Sequence, residues 1–228
     1  MTIPQLDRPK PSPSLREHAL LVIRHAITTG ELDESRIYSA AGLAKQLGMS
    51  LSPVREAMMS LVAEGTVEAV PNRGFRLVPV TRDDLEEIIR IRSLLAVPAA
   101  QELCRRAAEA DNSNESIGDQ LATLRRFATE AVTAAEAEDR AEYFAADREF
   151  HERLLEYGLG PRAAAISLRL RDQSRVFTLD AEARKIDILS ARELVQIVDL
   201  IEADKPAEVG DLVVQNLYYF KRTEANEG

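Results

Sequence analysis

Leu43–Glu64 reads LAKQLGMSLSPVREAMMSLVAE and runs through Gly65 into Thr66–Arg76, TVEAVPNRGFR. Leu43, Ala44 and Leu47 carry the spacing of one short helix, started at Ser39 and stopped by Gly48. Val54, Ala57, Met58, Leu61 and Val62 form the apolar face of a second, closed by Gly65. Ser50 or Ser52 is predicted to cap that second helix. Pro53 falls in its first turn, where a missing N–H costs nothing. Val67–Val70 and Phe75–Val78 then alternate like strands around Pro71-Asn-Arg-Gly74. Two short helices on a tight turn, followed by a hairpin, outline a winged helix-turn-helix that reads DNA.

Working outward, residues 1–13 hold Pro4, Pro9, Pro11 and Pro13 and read as a flexible arm. Ser14 with Glu17 has capping-box spacing, and Leu15, Ala19, Val22, Ile23, Ala26 and Ile27 make a helical stripe that ends at Gly30. Pro79-Val80-Thr81 marks a boundary, after which Thr81 and Asp84 cap a long helix. Helical patterns are predicted over roughly 82–109, 116–137, 140–157, 162–178, 185–203 and 206–222, with no convincing strand between them. The expected fold class is mainly α: a winged helix-turn-helix over 14–80 and an all-α helical bundle over 81–228.

At 45% hydrophobic residues, 228 residues are ample for a core in each part. The single cysteine, Cys104, cannot form an internal disulfide and sits in a helical run, where it reads as a packing thiol in a reducing compartment. The N-terminal MTIPQLDRPKPSPS lacks an apolar signal core, and no run approaches the ~20 apolar residues of a membrane span. A cytoplasmic protein with no membrane partner is expected. The net charge of −9 is unevenly placed: residues 1–80 carry nine basic and eight acidic residues, residues 81–228 twenty and thirty. A DNA module this weakly basic binds phosphate modestly and in a salt-sensitive way, and a homodimer presenting two modules offsets that.

Within the module, a recognition helix needs donors at its N-terminal turn. Ser50 and Ser52 suit phosphate, and Arg55, one turn in, suits guanine N7 and O6 or a phosphate. Arg73 and Gly74 at the wing tip suit a minor groove, glycine for close backbone approach and arginine for the negative potential. Lys45 suits a backbone clamp.

SPVREAMMSLVAEGTVEAVPNRGFRLVPVT closely resembles the N-terminal domain of the GntR superfamily of bacterial transcription regulators, whose signature is the Pro-Val-Arg-Glu-Ala core and the Arg-Gly wing. The helical remainder looks like the FCD ligand-sensing domain of the FadR-type subfamily, and the resemblance covers about residues 14–222. It implies a double-stranded DNA operator, a small-molecule effector and repression more often than activation. Two positions depart from the pattern. Leu51 stands where an arginine usually follows the capping residue, and Ala41 where a second contact arginine is frequent.

The resemblance also implies an effector pocket that often holds a divalent metal on an aspartate and three histidines. Asp147-Arg-Glu-Phe-His151 supplies the first pair, and residues four apart on a helix share a face. The later histidine positions map to Leu194 and to Gln215, or to Asn216 one step on. The chain has three histidines, His18, His25 and His151, and the first two lie in the DNA module, so three imidazoles cannot meet in one bundle. No metal and no cofactor are therefore expected. Asp147 and His151 either hydrogen-bond an effector or form a satisfied buried pair. Arg92 matches a pocket-facing arginine that would grip a carboxylate, with Arg90 close enough to be mistaken for it. Ala96 and Gly160 replace a family glutamate and asparagine, so the pocket is altered beyond its metal ligands.

The reading is a ligand-responsive regulator, dimeric on a near-palindromic operator, and not an enzyme. The competing readings are a metal-dependent helical-bundle enzyme around Asp147 and His151, and a sensor that has lost DNA binding. No Ser/His/Asp order, phosphate-binding glycine loop or cysteine–histidine arrangement supports an enzyme.

Overall fold

The computed structural model describes residues 14–110, 115–177 and 188–219. The chain divides between Val78 and Pro79 into two compact units. The predicted arm over 1–13 and the predicted breaks at 111–114 and 179–180 lie outside the described residues.

The first unit orders α1 (Leu15–Thr29), α2 (Ala40–Leu47), α3 (Leu51–Ala63), β1 (Val67–Val70) and β2 (Gly74–Leu77). The capping box at Ser14 forms: Glu17 N–H donates to Ser14 Oγ, and Ser14 N–H to the Glu17 carboxylate. Ser39 caps α2 through the N–H of Gly42. Ala19, Ile23 and Ile27 of α1 are buried with Leu43, Val54, Ala57, Met58 and Leu61 of α2 and α3. Each large side chain so buried stabilises by roughly 1.5–3 kcal/mol. Arg24 of α1 closes the far end by pairing with Glu64 at 2.5 Å.

The strands pair antiparallel with Val67 opposite Leu77 and Val70 opposite Gly74. Tyr38, absent from the sequence-based elements, adds a bridge to Phe75, donating from its N–H at 2.7 Å and accepting at 2.9 Å. One residue of pairing leaves no period in the sequence.

Among the described residues, the second unit has six helices: α4 (Arg82–Ala108), α5 (Glu115–Glu136), α6 (Arg140–Leu159), α7 (Pro161–Phe177), α8 (Ile188–Glu202) and α9 (Pro206–Leu217). Thr81 and Asp84 form the second capping box. α4 touches every other helix of the bundle. It runs through Pro98, which removes the hydrogen bond to the Leu94 carbonyl at a cost of about 3 kcal/mol. Burial of Ile89, Ala99, Ala100, Leu103 and Cys104 on the opposite face outweighs that cost.

Two predicted helix ends shift by more than one residue. α9 stops at Leu217, five residues short, because its last turn tightens into a bond from Tyr219 N–H to the Asn216 carbonyl. The predicted start of α8 at 185 lies outside the described residues, which resume at Ile188. Gly158, expected to end α6, lies inside it, and the C-cap is Gly160. At Gly158 a Cβ would meet the Ala99 carbonyl oxygen at 2.4 Å, so glycine is what lets α6 and α4 touch backbone to backbone.

Gly158→Ala is expected to cost about 1–3 kcal/mol through forced separation of α4 and α6. Gly118→Ala, where a Cβ meets open space within α5, should stabilise by about 0.5–1 kcal/mol. Thermal melts of the two variants beside wild type check the opposite signs.

Candidate functional sites

In the first unit, Ser50 is the N-cap residue of α3, yet its side chain makes no capping bond. The N-cap hydroxyl normally accepts from the second or third helical N–H, and the third helical residue here is Pro53, which has none. Ser52 does not cap either; its hydroxyl donates to Glu56 at 3.0 Å. The predicted serine cap is thus absent, and the Ser50 hydroxyl stays outside the helix's own bonding.

The described cations of this unit fall into two sets. Arg16 donates to Ser60, while Arg24, Arg36 and Arg76 pair with Glu64, Asp33 and Glu68. Lys45, Arg55 and Arg73 are exposed and make no side-chain hydrogen bond or ion pair among the described residues. They sit in the last turn of α2, the second turn of α3 and the loop between the strands. Leu51, in the first turn of α3, is 43% exposed.

Gly74 has a reason of its own in the fold. At φ 130° its absent Cβ would stand 2.4 Å from the Tyr38 carbonyl oxygen, so the glycine admits the Tyr38 bridge.

In the second unit, Arg92, Asp147 and His151 line one cavity of about 20 Å³. That is room for a single water molecule. Arg92 is buried and Arg90 exposed, which separates the two. The cavity also takes Arg171 from α7, Ser190 from α8 and Asn216 from α9. Arg171 Nη2 donates to Asp147 Oδ2 at 2.5 Å and to the Phe144 carbonyl at 3.3 Å. His151 Nε2 lies 3.5 Å from Asp147 Oδ1. Asp147 therefore bridges an arginine and a histidine.

The residues at the mapped histidine positions fall in different surroundings. Leu194 is wholly buried in the core, and α8 reaches the cavity through Ser190 instead. Of the α9 pair, Asn216 lines the cavity while Gln215 donates to Glu193 at 2.6 Å. Asn216 Nδ2 donates to the Ser190 carbonyl, the Ser190 hydroxyl and Glu193 Oε2, at 3.0, 3.1 and 3.0 Å. Gly160 lies outside the cavity lining, as the C-cap of α6.

This donor set does not fit a divalent metal. Asp147 is taken by a guanidinium, the neighbours from α8 and α9 are a serine and an amide, and no group of three or more His, Cys, Asp or Glu able to hold a metal occurs among the described residues. Arg171 was missed in the sequence. Its signal was its place on the inward stripe of α7 with Ala164, Ser167, Leu168 and Ser174.

Comparison with known proteins decides the family. The model of bacterial regulatory proteins of the gntR family matches residues 15–77, and that of the FCD domain matches residues 87–218. The chain belongs to the GntR family, with an FCD domain. The family consists of transcription regulators, not enzymes. The GntR chain is 35% identical over 134 residues, 58% of its own length and 74% of the other's, to an HTH-type transcriptional regulator in the TAR-I ttuE-ttuC' intergenic region of Agrobacterium vitis. It is 37% identical over 83 residues to the HTH-type transcriptional regulator McbR of Escherichia coli, an alignment covering 35% of this chain and 38% of McbR. The solved E. coli McbR/YncC structure superposes with a TM-score of 0.76 at 20% identity, over 94% of this chain and 99% of that one, a likeness of fold. Among the described residues, no helix of this GntR chain is long and apolar enough to cross a membrane.

Burial pushes the His151 imidazole below its ordinary range; the Asp147 carboxylate opposes this, and the Arg92 and Arg171 guanidinia reinforce it. A lowered folded-state value means that the unfolded chain binds the extra proton first. Stability from neutral His151 is then present above the unfolded value of about 6.5 and is lost as the pH falls below it. Melting temperature is expected to drop between about pH 7 and pH 5, and to drop less steeply in His151→Phe.

Proposed function

We propose that this regulator binds a near-palindromic double-stranded DNA operator as a homodimer in the cytoplasm, and that a small carboxylate effector at the FCD cavity releases it, so that it represses. The observation that carries the DNA contacts is the division of cations in the first unit: Lys45, Arg55 and Arg73 have no internal partner among the described residues, while the others do. An exposed guanidinium in the second turn of a recognition helix can meet guanine or phosphate. Ser50, uncommitted to the helix cap, and Ser52 are proposed as phosphate contacts, and Lys45 as a backbone clamp. Arg73, with Gly74 beside it, is the wing contact. With an exposed Leu51 in place of an arginine, the module is a weak reader that depends on dimerisation.

Arg92, Asp147 and His151 are proposed as the effector contacts, Arg92 providing the fork for a carboxylate. A cavity of about 20 Å³ cannot hold an organic acid as it stands, so binding selects an opened state of the bundle. The effector acts by favouring that state over the DNA-binding one, and operator DNA weakens effector binding by the same factor.

Arg55→Ala is expected to weaken operator binding by about ten- to a hundredfold, and Arg90→Ala to leave it unchanged. Leu51→Arg should tighten binding to any duplex and steepen the salt dependence by about one counterion. Fluorescence anisotropy on the DNA flanking its own gene, over a range of salt, measures all three. No binding at low salt by a chain that still dimerises defeats the proposal. For the effector, a thermal-shift screen of small carboxylates should yield a compound that raises the melting temperature of wild type but not of Arg92→Lys, which keeps the charge and loses the fork.

A further inference from the structure

The cavity of the FCD unit places a buried cation of the protein's own opposite the Asp147–His151 pair. Arg171 and Asp147 are 3% and 5% exposed, and their charged atoms stand 2.5 Å apart. Desolvating a guanidinium is costly, and only a close, well-bonded counter-charge offsets it. Arg171 has that on one nitrogen, from the Asp147 carboxylate and the Phe144 carbonyl. The pair spans two helices, α7 to α6, and Arg148 with Asp172 repeats the linkage at 2.6 Å beside it.

The histidine is turned into the same arrangement. His151 presents Nε2 to Asp147 Oδ1, while Oδ2 faces Arg171. Each carboxylate oxygen therefore has a nitrogen neighbour of the protein's own, Oδ1 the imidazole and Oδ2 the guanidinium. From α9, the Asn216 amide nitrogen is spent on Ser190 and Glu193. We infer that Arg171 is the resident cation of this sensing site, holding Asp147 with a guanidinium where relatives of the resembling pattern use a divalent metal.

The consequence is a site whose positive charge is covalently part of the fold. A guanidinium keeps its charge at every physiological pH and cannot be chelated away. An anionic effector would then meet Arg92 and Arg171 directly. That last consequence rests on the effector reading proposed above; the cation assignment does not, and its test uses no effector.

The test begins with the full-length native chain, purified without chelator. Elemental analysis is expected to find less than about 0.1 equivalent of zinc, nickel or manganese per chain, and a roughly tenfold excess of each chloride should leave the melting temperature unchanged. One tightly held metal per chain, or a melting temperature raised by several degrees with metal, overturns the inference. The second arm removes the cation. Arg171→Met leaves Asp147 buried beside no guanidinium of α7 and should lower the melting temperature sharply. The double variant Arg171→Met with Asp147→Asn removes the stranded charge and should melt higher than Arg171→Met alone. A double variant that melts no higher overturns the pairing, and the metal analysis stands whether or not either variant folds.

Discussion

The bundle depends on how closely α6 can approach α4. α4 is in contact with all five other helices of its unit, so its spacing from any one of them propagates to the rest. At Gly158 the α6 backbone meets Ala99 at a distance no Cβ would allow. Interiors packed at crystal-like density have no slack to absorb a wider crossing. The cavity lies between the same helices: Arg92 comes from α4, and Asp147 and His151 come from α6. Arg92 of α4 and the Asp147–His151 pair of α6 line the same cavity.

The DNA module relies on a different constraint, the distribution of partners among its cations. Arg24 and Arg76 are consumed in holding α1 to α3 and β1 to β2. That leaves three exposed basic side chains without internal partners among the described residues, on α2, α3 and the wing loop. A module charge of only +1 over residues 1–80 gives little long-range attraction, so local placement has to do more. Pro53 contributes at the same place. By removing the N–H that Ser50 would cap, it keeps that hydroxyl out of the helix's own bonding.

How much of this was legible differs by residue. Lys45, Arg55 and Arg73 could be singled out because helix phase and turn chemistry are local properties. Asp147 and His151 could be paired because four residues on a helix always share a face. Arg92 could be named but not separated from Arg90 until burial distinguished them. Arg171 went unread because an arginine on a helix is ordinarily a solvated one. Only its phase with Ala164 and Leu168 marked it as inward. The Tyr38 bridge and the role of Gly158 left no local trace, since each exists to accommodate a distant piece of backbone.

By itself, the sequence determined most of the helices, the caps at Ser14, Ser39 and Thr81, the winged outline and the family, because those follow from periods of two and 3.6 residues and from side-chain chemistry within one turn. Tertiary structure decided which faces meet: Ser190 at the cavity, Asn216 of the two α9 candidates left open, and Arg171 on Asp147. A one-residue choice on one helix is settled by the crossing distance and rotation of another, and those are properties of the packed core as a whole.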